Sequence, residues 1–148
     1  MLALAFQAGD LRLALPAQCV VEVLPRSVLR PVALAPAGVV GLLAFRGTLT
    51  PVVDLCRLVL GRDTRPLRSS RLVVVSLPHG GGERLVGLLA EQVLDLIPIG
   101  DTVPGLRLPD APWLGEHLAE HAGTPQLMDP ARLLPEALAA LFALEAPA

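Results

Sequence analysis

The chain opens on a strict alternation. Leu2, Leu4 and Phe6 fall on one side, and Ala3, Ala5 and Gln7 on the other. Gly9-Asp10 offers a turn, after which Leu11, Leu13 and Leu15 alternate with Arg12 and Ala14. A period of two around a Gly-containing turn predicts a β-hairpin with one buried face. Pro16 interrupts it, and Val20-Val21-Glu22-Val23-Leu24 resumes as a strand that carries a single charge in an apolar run. Gly38 to Phe45 predicts another strand, Arg46-Gly47-Thr48 a turn, and Leu49 to Val53 the returning strand.

A short helix comes next. Asp54 is placed as N-cap, Leu55 to Leu60 as the helix, and Gly61 where a left-handed C-cap belongs. The polar stretch Arg62 to Ser70 reads as a solvated loop. Leu72 to Leu77 is an unbroken apolar run, hence a buried strand, and it closes at Pro78-His79-Gly80-Gly81-Gly82. Leu85 to Leu89 and Val93 to Ile99 are further strands with Glu91 between them. Gly100 to Pro112 is rich in Gly and Pro and is expected to be irregular. Trp113 to Leu118 and Gln126 to Met128 are placed to pair across Ala122-Gly123-Thr124. Asp129-Pro130 opens a helix, and Pro135 starts a second with Leu138, Leu141 and Phe142 as its apolar stripe.

Many short strands between Gly/Pro turns, with little helix, predict an all-β barrel architecture. At 148 residues one core suffices without disulfide or metal. Apolar residues make up 53% of the chain but only three Phe and one Trp are aromatic, so the core is built from Leu, Val and Ala. All twelve basic residues are Arg, a pattern that GC-rich coding explains most simply. The net charge of −2 hides an asymmetry: the chain through Arg84 carries ten Arg and five acidic residues, and Leu85 onward two Arg and nine acidic residues. Opposite flanks suit different partners, or copies stacked head to tail; two solvated surfaces that drifted apart account for it equally well. Dispersed Arg and scarce aromatics argue against nucleic acid. Cys19 and Cys56 sit in apolar surroundings and read as buried thiols of a reducing compartment. The N-terminus lacks the basic start of a signal peptide, and no apolar run is long enough for a bilayer, so a cytoplasmic protein is expected.

One stretch resembles a metal motif. His117-Leu118-Ala119-Glu120-His121 fits the HxxEH pattern of inverted zinc peptidases, with Glu120 as general base. Gly115 and Gly123-Thr124-Pro125 confine any helix here to barely two turns. On a strand, the two imidazoles share a face but lie about 13 Å apart, too far to share an ion. No Ser sits in a GxSxG elbow, Cys56 has no neighbouring His, and Gly80-Gly81-Gly82 lacks the Lys of a phosphate loop. No metal, cofactor or active site is expected.

The segment Gly41 to Gly61, GLLAFRGTLTPVVDLCRLVLG, resembles the core signature of CheW-like domains: a strand ending in Arg-Gly, then Pro-Val-x-Asp-Leu turning into a short helix closed by Gly. Leu11 to Leu15 with Val20 to Val23, Val86 to Val93, and Leu127 to Leu134 resemble further elements of that family, in its order. The resemblance implies one domain over residues 2–145, built of two small five-stranded β-barrels packed side by side, with a few short helices including a C-terminal one. It implies a non-enzymatic, cytoplasmic adaptor, recruited to membrane receptor arrays. One barrel surface would bind the regulatory domain of a CheA-type histidine kinase, and the groove between the barrels the tip of a methyl-accepting chemoreceptor. Family receptor-contact positions map onto Val20, Glu22, Gly41 and Arg46. A Glu22–Arg46 pair would either mark that groove or brace the hairpin, and both can hold. Two departures stand out: Ala44 and Phe45 precede Arg46 where the family commonly has Asn before Leu-Arg-Gly, and Glu91 replaces the family's Asp. The first keeps open a modulatory relative that binds kinase but not receptor. A small zinc hydrolase using His117, Glu120 and His121 is the distant alternative.

Overall fold

The first hairpin forms as its alternation predicts. In the computed structural model, which describes residues 1–148 except 36–37, 80, 107, 110, 120, 122, 131 and 134–148, β1 (Leu2–Ala8) pairs antiparallel with β2 (Leu11–Pro16), Phe6 lying opposite Leu13. Both of its faces are buried, however, not one. Leu4, Phe6, Leu13 and Leu15 enter the main core, while Ala3 and Ala14 pack on Leu118 in a second, small cluster. Alanine is too weakly apolar for alternation to mark as interior, but its small side chain lets another layer approach closely.

After one 3-10 turn, Ala17–Cys19, the chain enters a second sheet. It holds β3 (Val20–Pro25), β4 (Val39–Phe45), β5 (Thr48–Asp54), β6 (Arg71–His79) and β7 (Gly82–Ala90), with α1 (Leu55–Leu60) between β5 and β6. At Glu91 the chain crosses back to the first sheet, as β8 (Gln92–Pro98), β9 (Thr102–Val103), β10 (Leu114–Leu118) and β11 (Gln126–Met128). The strand orders are β8-β1-β2-β11-β10-β9 and β3-β6-β7-β5-β4. The expected pair of small β subdomains is therefore present, with six strands in one and five in the other. Thr102–Val103, expected to be irregular, supplies the extra strand by pairing with His117 and Leu118. Asp129 to Arg132 closes a single turn by an Arg132 N–H to Asp129 C=O bond of 3.1 Å. The helices expected from Pro130 and Pro135 onward fall largely or wholly outside the described residues.

The two sheets differ in how their edges are finished. In the five-stranded one, Arg30 and Leu42 exchange two backbone hydrogen bonds of 2.8 Å, which cover the outer edge of β4. In the six-stranded one, the Ala119 N–H donates to Asp101 C=O, continuing the β9–β10 pairing by one residue. Covering an edge removes the unpaired groups through which chains aggregate.

β6 shows why Leu72 to Leu77 is apolar throughout. Leu72 and Val74 point into the five-stranded barrel with Leu43, Phe45, Val52 and Leu89. Val73, Val75 and Leu77 point the other way, to the cluster that joins the two barrels through Phe6, Leu13, Leu15, Val53, Leu88 and Trp113. A strand buried on both faces cannot alternate.

α1 forms where its caps predict. Asp54 Oδ1 accepts from the Cys56 N–H at 2.9 Å, and Gly61, at φ +71°, donates back to Arg57 C=O at 3.2 Å. The stretch 62–70 is largely exposed, as its polarity suggested, but it is pinned at points. Thr64 and Ser70 are buried, and two carboxylates draw the backbone inward. The Thr64 N–H donates to Asp54 Oδ2 at 2.8 Å and the next one, of Arg65, to Glu91 Oε2 at 2.9 Å.

Candidate functional site

The positions singled out in the sequence cluster only in part. Glu22 and Arg46 do meet, Arg46 Nη2 lying 3.6 Å from Glu22 Oε1. The sequence puts them on strands that lie at opposite ends of the sheet order, and barrel closure brings them together. Two local features aim them. A bulge between Val20 and Glu22 shifts the register of β3 against β6. Arg46 (φ +49°) and Gly47 (φ +80°) form the two-residue β4–β5 turn with positive φ at both positions, as a type I′ turn requires. The Arg46 guanidinium also lies 4.8 Å from the centre of the Phe45 ring. Both charged side chains remain well exposed, at 43% and 66%, so the pair presents a polar spot to solvent.

Val20 and Gly41 have other surroundings. Val20 is half-buried and packs on the inter-barrel core. Gly41 is buried on β4, and a Cβ there would come within 2.8 Å of both Arg30 C=O and Leu29 Cβ. The 29–30 segment lies directly over it. Its glycine is a requirement of that close approach, made at φ +155°.

Glu91 is the residue whose surroundings the sequence least announced. Its carboxylate is 96% shielded, yet it carries a full set of partners. It accepts from the Gly9 N–H (2.8 Å), the Arg65 N–H and Nε (2.9 Å each) and the Arg62 Nη1 (3.1 Å). The Arg62 and Arg65 guanidinium groups, bonded to it directly, hold its carboxyl well below the usual carboxylate range; the backbone donors of Arg65 and Gly9 add to this and burial opposes it. Its own N–H donates to Gln7 C=O and its C=O accepts from Ser69 Oγ. The one sequence signal was an acid standing between two apolar strands.

The zinc arrangement on a helix is not what the chain forms. Through Leu118 the segment is β10; His117 Nδ1 lies 3.1 Å from Thr124 C=O, and His121 Nε2 lies 2.9 Å from Pro98 C=O. Glu120 lies outside the described residues. Cys19 and Cys56 are both free and buried, and burial pushes both thiols up, away from the nucleophilic thiolate. Among the described residues no helix is long and apolar enough to cross a membrane. Beside the five-stranded barrel lies a groove of about 680 Å³ of mixed character, lined by Val28, Leu29, Val40 and Leu67 together with Arg26, Arg57 and Asp63. Val28 is 99% exposed.

Comparison with known proteins agrees with this geometry. The CheW-like domain family matches residues 2–110, from β1 into the link before β10. Protein FrzA of Myxococcus xanthus is 35% identical over 118 residues, covering 78% of this chain and 68% of FrzA. The chemotaxis protein CheW of Rhizobium meliloti (strain 1021) is 28% identical over 98 residues, or 66% of this chain and 61% of that protein. In fold, the chain is similar to the crystal structure of the scaffolding protein TtCheW from Thermoanaerobacter tengcongensis, with a TM-score of 0.76 at 18% identity, covering 90% of this chain and 87% of that one. Two sheets sharing an aliphatic core agree with the sequence match: the chain belongs to the CheW-like family of non-enzymatic chemotaxis scaffolds.

Proposed function

We propose that this chain, as one CheW-like domain over residues 2–145, couples a methyl-accepting chemoreceptor to a CheA-type histidine kinase by protein contacts alone. The observation that carries the reading is the Glu22–Arg46 pair, a fixed and exposed ion pair at the closure of one barrel. Charged groups held in place at the rim of an apolar surface select a partner more than they add affinity. Val20, Glu22, Gly41 and Arg46 are the positions assigned to the receptor tip, Gly41 acting through the backbone it shapes. The groove at Val28, where Leu29, Val40 and Leu67 lie among Arg26, Arg57 and Asp63, is assigned to the regulatory domain of the kinase.

The distribution of charge supports a further, weak contact. The segment from β3 to β7, loops and α1 included, holds nine of the twelve Arg, whereas nine of the fourteen acidic residues follow Ala90. One barrel is thus basic and the other acidic, which favours head-to-tail approach of two copies. In the alternative, the chain is a modulatory relative that binds kinase and not receptor. Exposed Ala44, on β4 beside the Arg46 turn, supports it because it cannot make the hydrogen bonds of an Asn amide.

Calorimetric titration against the regulatory domain of a CheA kinase from the same genome tests both, followed by titration with a receptor-tip fragment. Micromolar, near one-to-one binding to each supports coupling. Binding to the kinase alone supports the modulatory reading, and binding to neither removes both.

A further inference from the structure

We propose that Glu91 is a clasp that fixes the angle between the two barrels, independently of which partners they bind. Among the described residues the chain passes between the sheets at two places, the Ala17–Cys19 turn and Glu91 itself. Two crossings define an axis about which one barrel can rock on the other. What fills the space between them is mostly Leu, Val and Ala, with Phe6 and Trp113 as its aromatic members. Apolar contact is non-directional, so such an interface has many packings of similar energy.

Glu91 supplies the direction. From one barrel it takes the Gly9 N–H of the β1–β2 turn and bonds Gln7 C=O through its own N–H. From the other it takes Arg62 and Arg65 of the loop that follows α1. These bonds are short and charge-assisted, and each requires its donor at a set position. Gly9 is held close as well: at φ +59°, a Cβ there would lie 2.7 Å from Leu60 Cδ1 and 3.0 Å from Arg62 Nη2. The β1–β2 turn is therefore seated against the end of α1, with the carboxylate tying it down. In some proteins a buried ionic group serves the choice of one arrangement more than it adds stability, and Glu91 is placed to make that choice here.

Residual dipolar couplings on the full chain test the proposal. Couplings from β1 and β2 and from β6 and β7 are fitted separately in the native protein, in Glu91→Gln and in Thr64→Ala. The last loosens the same loop through Asp54 without touching the other barrel. In the native protein and in Thr64→Ala one alignment tensor fits both barrels. In Glu91→Gln each barrel retains its strands but needs its own tensor, and Gly9 amide exchange rises at least tenfold. A single tensor for Glu91→Gln overturns the proposal, as does a split tensor in Thr64→Ala. Should Glu91→Gln fail to fold, Glu91→Asp keeps the charge on a shorter arm; an unchanged Gly9 exchange rate there counts equally against the clasp.

Discussion

Arg46 meets Glu22 across the two ends of one sheet, 3.6 Å apart although their strands are separated by three others in the hydrogen-bonded order. The contact exists only because the sheet closes. An ion pair this exposed contributes about 0–1 kcal/mol, because water already solvates both partners. Barrel closure rests instead on the Arg30–Leu42 backbone pair and the aliphatic interior. Arg46→Glu is therefore expected to lower Tm by no more than about 3 °C, while weakening binding of a receptor-tip fragment at least tenfold and leaving kinase binding unchanged. A fall in Tm of 10 °C with all binding lost in proportion would make the pair a brace. Arg46→Asn is the matching control: Asn tolerates positive φ better, so it removes the charge while raising or preserving Tm.

Gly41→Ala behaves differently. The new methyl meets Arg30 C=O and Leu29 Cβ at 2.8 Å, both part of the segment that closes the barrel edge. Overpacking together with strained φ costs about 2–4 kcal/mol, or roughly 5–15 °C in Tm. Receptor binding and kinase binding should fall together, in step with the folded fraction seen by circular dichroism. Loss of receptor binding alone at full stability would mean that Gly41 touches the receptor itself.

The sequence reveals most where one residue decides a local conformation. Gly9-Asp10, Arg46-Gly47, Asp54 and Gly61 each set a turn or cap without help from distant residues, and each lies where the pattern puts it. It reveals least where a residue has two partners far apart in the chain. Asp54 is legible as a cap but not as the anchor of Thr64. Glu91 is legible as an acid between strands but not as the meeting point of Gly9, Arg62 and Arg65, which lie 82, 29 and 26 residues away. The pinning of the exposed polar stretch around Arg65 is hidden for the same reason, since the carboxylates that hold it are not its neighbours. Glu22 and Arg46 enter as candidates through the resemblance alone, and their contact depends on closure, which no local pattern announces.

Acid should expose the Glu91 contribution. Its folded carboxyl titrates well below its unfolded value, near 4.3. A depressed carboxylate contributes stability that is full above the unfolded value and is lost as pH falls toward the folded one. Arg62 and Arg65 are partly exposed and can return to water, so Glu91→Gln is expected to cost about 1–3 kcal/mol at pH 7. Urea unfolding of the two proteins should show that difference intact from pH 7 to 5.5 and shrinking steadily from pH 4.5 to 2.5. A difference that stays constant over this range would mean that the carboxylate charge contributes nothing.

Val28→Glu tests the assignment of the kinase. Val28 is 99% exposed, so the substitution removes no packing and should leave Tm within about 1 °C. A carboxylate within that contact must be desolvated on binding, which costs several kcal/mol if it stays unpaired. Titration with the kinase regulatory domain should weaken at least tenfold, and receptor-fragment binding should not change. Unaltered kinase affinity would move that contact elsewhere on the barrels.

The charge division predicts how copies of the chain meet. Contacts between a basic and an acidic barrel are made by solvent-exposed groups, and the screening length shortens from about 30 Å at 0.01 M salt to about 3 Å at 1 M. Self-association measured by sedimentation should therefore be strongest at low salt and weaken steadily as salt rises. Apolar contact would do the opposite, since salts that are excluded from protein surfaces strengthen burial. Reversing two exposed acids of the first barrel, Asp95→Arg and Asp101→Arg, should abolish the low-salt association and leave the fold intact. If association is equal at both salt extremes, or survives that double reversal, opposite charge is not what brings the copies together.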